Sequence, residues 1–523
     1  MKHLLAGLLL IGFALNNQVI AQQTARAEAG PEAQQIPLLS ELFARYEEFN
    51  RLYAERRKAG ANLSGVEPLR KRGEEAFRRG HIPGILEVLG EAQAVLTGKK
   101  WDDRQRFISS LTLEIDRLVV EPNQVLQVSL TRMFQVNIDK VFTSAPTVTL
   151  TVVAGDRASK SRETKAATQP IQPAIIAQSL PVAEAISNAS RRLLLPDGTY
   201  EVVASVEAGG QKLAEIKRPV YAIGNFTDSV AQMSKTIAAF KNSPDAIVKA
   251  LAATPEFQLQ RLAQSNKSRA EVDLNPNEEI DRIETELAAL AKGENPFANA
   301  RGELERAYQA PDGKLVPYRI YVPKSYDGAA AKPLVVLLHG ALGDERYYFS
   351  GLFDPAVIEG EAERRGYILV GVNGRGRFAN YSGAALDDVF AVTDAMTRDY
   401  KIDASRVYLT GHSTGGFGAW LAASSKPEKF AAVAAVSGGP PVQGDALASL
   451  LKPLKGMPAL IAHGAQDGIV PAVLSKTMAA AAEKAGLKVN LLEVSDGDHM
   501  SVVASTFPAI MDFFDKNSKP DMK

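Results

Sequence analysis

Apolar residues recur along this chain with three different periods, and each change of period marks a change of architecture. Leu39, Leu42, Phe43, Tyr46, Phe49 and Tyr53 are three and four apart with charges between them, which is the stripe of an amphipathic helix. Similar patterns run to about Leu113, so 22–117 is expected to be a helical hairpin or bundle. Arg56, Arg57 and Lys58 then read as its solvated face. From about Val119 the period is two. Leu126, Val128 and Leu130, and later Val148, Leu150 and Val152, alternate with polar residues as half-buried strands do. A Ser/Lys/Thr/Gln/Pro-rich stretch over roughly 155–180 interrupts this pattern. Pro196-Asp197-Gly198 then opens a turn before Tyr200, Val202, Ala204 and Val206. The expectation for 118–223 is a β-rich, sandwich-like module. Helical spacing returns from Thr227 and ends in the stripe Ile280, Ile283, Leu287, Leu290. Lys292-Gly293-Glu294-Asn295-Pro296 follows as a helix stop, so 224–298 reads as a helical linker region.

Beyond it, short apolar runs alternate with helical patterns. The hairpin Leu304 to Gln309 and Val316 to Val322 folds over Pro311-Asp312-Gly313. Runs follow at Leu334 to Leu338, Tyr367 to Val372, Val407 to Thr410, Ala431 to Val436, Ala459 to Ala462 and Val489 to Val494. Helical patterns, such as Gly416 to Ala423 and Val473 to Ala485, separate most of them. The fold class is therefore α/β: a mostly parallel eight-stranded sheet over 299–518 with helices on both faces.

Composition narrows the function classes. At 523 residues the chain has room for about three or four domains of ordinary size. Lys plus Arg and Asp plus Glu number 60 each, so no net field draws it to nucleic acid or to an anionic membrane. With no cysteine, disulfides and thiolate-held metals are excluded. Lys2, the apolar stretch Leu4 to Leu15 and the small-residue site Val19-Ile20-Ala21 read as a signal peptide over 1–21. That stretch is shorter than the ~20 residues that span a bilayer. A periplasmic or secreted protein without a membrane anchor is expected.

The chemistry is concentrated where a strand meets a helix. Arg406-Val407-Tyr408-Leu409-Thr410 leads into Gly411-His412-Ser413-Thr414-Gly415, a G-x-S-x-G elbow in a strand-turn-helix setting. Small residues on either side let the backbone turn sharply and lift the Ser413 hydroxyl above the sheet. A serine needs a base, and histidine is the usual one. Of the six histidines, His3 is in the leader and His81 in the helical region. His412 adjoins the serine pointing elsewhere, and His339 and His463 end strands as His-Gly. His499, in the loop after the last strand, remains as the base. The carboxylate that holds it is expected from Asp467, past the strand Ala459 to Ala462. Asp445, Asp496 and Asp498 are the competitors, more in keeping with loops and turns. Negative charge on a reacting carbonyl requires backbone donors. Thr414, after the nucleophile, supplies one, and Ala341 or Gly340 in His339-Gly340-Ala341-Leu342-Gly343 the other. Tyr347, Tyr348, Phe349, Phe378 and Tyr381 lie in loops of the same face, for stacking on a substrate or for packing.

These residues carry a resemblance. Pro333 to Gly340, Asn373-Gly374-Arg375-Gly376, and Asp403 to Arg406 running into the elbow resemble the α/β-hydrolase superfamily. Within it they are similar to bacterial esterases akin to polyhydroxybutyrate depolymerases, feruloyl esterases and acetyl xylan esterases. The resemblance covers the last ~220 residues. It implies a serine carboxylesterase acting through an acyl-enzyme on a small-molecule or polymeric ester, with no metal and no organic cofactor. Two alternatives stand beside it. A prolyl-oligopeptidase-like peptidase shares the sheet and elbow, but precedes them with a propeller of repeated blades for which 118–223 is too short. A binding protein on an inactive hydrolase scaffold would leave Ser413 unreactive toward a fluorophosphonate probe.

Overall fold

The computed structural model describes residues 32–519 apart from 123, 138–140, 144, 156–173, 182–186, 193–194, 268–273 and 378. Lys2, Leu4 to Leu15 and Val19 to Ala21, on which the expected signal peptide rests, and Phe378 lie outside the described residues. No helix among the described residues is long and apolar enough to cross a membrane.

Two compact units make up the chain. One comprises residues up to Glu114 with Leu130–Pro146 and Val182–Ser187. The other comprises Ile115–Ser129, Thr147–Pro181 and Asn188 onward. The first contains helices Glu32–Lys58, Glu67–Arg78, Ile82–Leu96 and Asp103–Ser110. Phe49 from the expected stripe packs on Leu69, Val88 and Ala92. Asp102 caps the last helix by accepting from the Gln105 N–H at 2.9 Å. The helical spacing read to Leu113 stops earlier, because Leu111–Ile115 is a strand with four of its five residues buried.

In the second unit five strands form one sheet, in the order Val119–Val120, Gln211–Ala222, Gly198–Ala208, Thr147–Ala154, Ala174–Pro181. Val148, Leu150 and Val152 face Val206, Ala204 and Val202 in antiparallel register. All six are buried, which is why this stretch reads with a period of two. The Tyr200 hydroxyl donates back to the Pro196 carbonyl at 2.9 Å and closes the turn expected there. The segment thought to interrupt the strands contributes one of its own. The apolar run Ala174-Ile175-Ile176-Ala177, with two β-branched isoleucines, lies within Ala174–Pro181, which pairs with Thr147–Ala154.

Helices Phe226–Lys241, Ala246–Leu251, Ala253–Gln264 and Pro276–Ala291 follow. Ile280, Ile283, Leu287 and Leu290 are buried as a stripe. Helix Ala253–Gln264 packs on the first strand of the next sheet. The Ala307 N–H donates to Thr254 Oγ1 at 3.1 Å, and Arg261 bridges Glu305 at 2.6 Å and Glu279 at 2.7 Å. An edge that would otherwise stay unpaired is thereby covered.

Glu286 lies in the same layer, 8% exposed, with Oε1 taking a long 3.4 Å bond from the Gln258 amide and Oε2 without a partner among the described residues. Burial pushes its carboxyl up to about 8, against the pull of Gln258, Arg282 and Arg306. A raised carboxyl favours the fold below the unfolded carboxylate range, and the advantage is lost as pH rises through about 8. Glu286→Gln keeps the shape without the ionisation. Its urea midpoint is expected to fall less than the native one between pH 5 and pH 8, by on the order of a few kcal/mol in unfolding free energy.

The last sheet holds the candidate site. Its strands are β1 (Gly302–Gln309), β2 (Leu315–Val322), β3 (Lys332–Leu338), β4 (Ile368–Val372), β5 (Ile402–His412), β6 (Ala432–Val436), β7 (Pro458–Gly464) and β8 (Lys488–Val494). Their spatial order is β8-β7-β6-β5-β3-β4-β2-β1, with β1, β2 and β4 joined antiparallel and the rest parallel. Six helices accompany them: α1 (Pro355–Arg365), α2 (Ala384–Asp399), α3 (Thr414–Ser425), α4 (Gly444–Leu451), α5 (Ala472–Lys484) and α6 (Ser501–Asp515). Leu334 to Leu338 and Ile368 to Val370 are fully buried, as uninterrupted apolar strands covered on both faces must be. Because β3, β5, β6, β7 and β8 run parallel, the loops that leave their carboxyl ends gather along one edge.

Candidate active site

Ser413 stands between β5 and α3 with φ 54° and ψ −117°, a conformation that costs a non-glycine residue roughly 1–3 kcal/mol. The elbow leaves no room for side chains beside it. A Cβ on Gly415 would lie 2.1 Å from the Leu338 carbonyl oxygen, and one on Gly411 would lie 2.2 Å from that of Gly415. Bonds from Ser413 N–H to the Val436 carbonyl at 2.9 Å and from Phe417 N–H to the Ser413 carbonyl at 3.1 Å hold the turn. Thr414 is the first residue of α3, so its N–H has no carbonyl of its own helix to bond.

The loop after β3 reaches the serine. A Cβ on Gly340 would lie 3.3 Å from Ser413 Cβ and 3.1 Å from Tyr347 Oη, tighter than an ordinary contact, so glycine lets the loop come this close without displacing its neighbours. Ala341 follows, and Leu342 is forced to φ 68°. Arg377 clasps that residue: Leu342 N–H donates to its carbonyl at 2.5 Å, and its Nη1 donates to the Leu342 carbonyl at 3.2 Å. The buried His339 ring lies between the carbonyls of Gly340 at 2.7 Å and Asn373 at 2.8 Å, tying this loop to the one after β4. Burial pushes its imidazole below the ordinary range, against the pull of those carbonyls. Asn373 also donates to Glu345 at 2.6 Å, whose carboxyl burial and Asp344 push up to about 7.

The loops after β7 and β8 are laced backbone to backbone. Ala465 N–H donates to the Val494 carbonyl at 2.8 Å and Gln466 N–H to the Gly497 carbonyl at 2.9 Å, while a Cβ on Gly464 would lie 2.3 Å from that Gly497 oxygen. This places Asp467 beside His499. His499 Nδ1–H donates to Asp467 Oδ2 at 2.8 Å, which leaves Nε2 with its lone pair. Asp467 Oδ1 accepts from the N–H groups of Ile469 at 2.9 Å and Val470 at 2.8 Å. Burial alone would raise this carboxyl, but donation from His463 and His499 holds it well below the usual carboxylate range. The competing acids are elsewhere. Asp498 accepts from Met500 and Ser501 N–H at the start of α6, Asp445 lies in the first turn of α4, and Asp496 is exposed.

Two histidines set aside in the sequence lie within the site. His412 Nε2–H donates to the His499 carbonyl at 2.7 Å, and its Nδ1 accepts from the Tyr347 hydroxyl at 2.7 Å. Its ring is 4.6 Å from that of His499, and burial, with the His499 charge next, keeps it far below the ordinary imidazole range. His463 stands against Asp467 itself, 3.2 Å from Oδ2. Neither contact is visible in the local sequence. Tyr347, Tyr348, Phe349 and Tyr381 are buried packing residues; Tyr347 stacks on His412, and Tyr381 donates to the His339 carbonyl.

The family model for the prolyl oligopeptidase family matches residues 362–446, which carry the elbow and the strands on either side of it. The domain built on this sheet has the α/β-hydrolase fold. The chain is similar to a feruloyl esterase B of Neurospora crassa, 34% identical over 130 residues, 23% of this chain and 42% of that protein. It is also similar to a bifunctional acetylxylan esterase/xylanase of Neocallimastix patriciarum, 29% identical over 166 residues, 31% of this chain and 23% of the relative. The chain thus spans less than half the length of these curated relatives. A solved thermostable esterase aligns with 78% of this chain and all of its own at 15% identity and a TM-score of 0.37.

Proposed function

We propose that the hydrolase domain is a serine carboxylesterase, with Ser413 as nucleophile, His499 as base, Asp467 as the carboxylate that holds it, and Thr414 with Ala341 or Gly340 as oxyanion donors. The observation that carries this is the 2.8 Å bond from His499 Nδ1 to a buried carboxylate, on a loop linked through His412 to a serine in a strained elbow. Ser413 Oγ attacks the ester carbonyl as its proton passes to His499 Nε2, and the carbonyl electron pair moves onto oxygen. Collapse of that tetrahedral species breaks the C–O bond, and His499 returns the proton to the departing alcohol. Water repeats the sequence on the acyl-enzyme, releasing the acid and freeing Ser413. Similarity to a feruloyl esterase and to an acetylxylan esterase supports a polysaccharide-linked ester as substrate. The pattern over residues 1–21 supports export.

A second reading, peptidase action, is favoured by the family match over residues 362–446. Full-length protein is therefore assayed against p-nitrophenyl acetate, methyl ferulate, acetylated xylan and a proline-containing peptide p-nitroanilide, with a fluorophosphonate probe to count active serines. One equivalent of probe on Ser413, with turnover of the esters and not the anilide, is expected. Turnover of the anilide alone would replace the esterase by the peptidase, and an unlabelled Ser413 would exclude both.

A further inference from the structure

We infer that His463 is a second histidine on the acid, a positioning residue that sets both the orientation and the basicity of Asp467. This rests on the proposed roles of Asp467 and His499. His463 ends β7, 1% exposed, and its Nε2 faces two acceptors, the Val470 carbonyl at 2.8 Å and Asp467 Oδ2 at 3.2 Å, so this nitrogen carries the proton. Its Nδ1 lies 2.6 Å from Ser475 Oγ in α5, a fully buried hydroxyl whose one proton has two acceptors within reach, this nitrogen and the Gly438 carbonyl at 2.9 Å. The ring is therefore held at both edges by groups of three elements, β7, the Asp467–Val470 turn and α5.

The consequence lies in the donor count at the carboxylate. A carboxylate offers about four lone-pair sites. Asp467 receives three hydrogen bonds, from the Ile469 and Val470 N–H groups on Oδ1 and from His499 on Oδ2, and the His463 Nε2–H, bonded to the Val470 carbonyl, makes a fourth, longer approach to Oδ2 at 3.2 Å. The carboxylate is thereby held on both oxygens, and Oδ2 faces two imidazoles. Each donor to the ionised form makes the carboxylate less basic. His463 thus draws charge from the oxygen that would steady the His499 imidazolium and keeps His499 a free base further into acid. The other titratable group close by is His412 of the elbow, which faces His499 and is itself bonded to Tyr347.

The test is the kcat/KM profile of the full chain for p-nitrophenyl acetate between pH 4 and 9, with rates divided by the fraction of serine titrated by a fluorophosphonate. In His463→Leu the acid limb is expected to move up by roughly one pH unit. kcat is expected to fall about 10- to 100-fold at unchanged KM, the usual cost of removing a group that orients a reacting residue's partner. His463→Gln, whose amide can place an N–H near the position of Nε2, is expected to restore most of the rate and the native limb. Ser475→Ala keeps both ring nitrogens but frees the ring to turn, and should move the limb the same way by a smaller step. That variant also serves if His463→Leu does not fold. A native limb with native rate per titrated serine in both His463→Leu and Ser475→Ala would overturn the inference while leaving the proposed triad intact. Full activity in Ser413→Ala or Asp467→Asn would instead overturn the triad on which it rests.

Discussion

Replacing Ser413 with alanine is expected to lower kcat for p-nitrophenyl acetate by about a million-fold, the scale on which loss of a serine nucleophile is felt when base and oxyanion donors remain. The substitution removes one oxygen. Alanine keeps the Cβ that approaches Gly340, and the Ser413 N–H and carbonyl bonds that hold the elbow are made by the backbone. Thermal midpoint and circular dichroism should therefore match the native protein, which ties the loss to chemistry and not to folding. Steady-state rates on the two proteins, with the fluorophosphonate label lost in parallel, decide the matter. A variant keeping a tenth of the native rate would place the nucleophile elsewhere.

Asp467→Asn is the next most damaging change, with an expected loss of roughly ten-thousand-fold in kcat. Asparagine is the same size, but one of its two positions is an NH₂, and all four neighbours of the carboxylate are donors. Turned toward the imidazoles, the amide forces His499 into the tautomer with its proton on Nε2, which cannot accept from serine. Turned the other way, it sets two N–H groups of Ile469 and Val470 against its own. The same carboxylate contributes to stability. A pKa held below the unfolded value favours the fold above the ordinary carboxylate range, near pH 4, and the benefit is lost as pH falls toward the folded value. Asp467→Asn should lose this, so its urea midpoint is expected to fall less steeply below pH 4 than that of the native protein. An unchanged kcat in the variant would remove Asp467 from the mechanism.

The roles of His412 and His463 show where sequence reasoning stops. In the sequence His412 adjoins the serine in the elbow and His463 ends a strand, and elimination among six histidines passes over both in favour of His499. Their partners, however, are the His499 carbonyl, 87 positions from His412, and Ser475 on the following helix. The aromatic loop residues offered packing and substrate stacking equally, and burial of Tyr347, Tyr348, Phe349 and Tyr381 decided for packing. The strand Ala174–Pro181 was hidden for a related reason. Its neighbours are polar and Pro-rich, and only pairing with Thr147–Ala154 makes it a strand.

Sequence by itself determined what depends on near neighbours: the period of two or of 3.6 that separates strand from helix, the uninterrupted apolar runs that mark a parallel sheet, and the small residues around Ser413 that permit a strained turn. The α/β class with a mostly parallel sheet followed from their order, and the resemblance to α/β hydrolases from the motifs around Gly340, Arg375 and Ser413. Tertiary structure alone decided which side chains meet. Asp467 reaches His499 because Gly464 and Gly497 let two loops approach within a distance that excludes any side chain, and His463 reaches Asp467 because a tight turn folds the carboxylate back over the end of its own strand. Such contacts arise from the register of parallel strands and the closing of loops across it, quantities that no local pattern of hydrophobic and polar residues records.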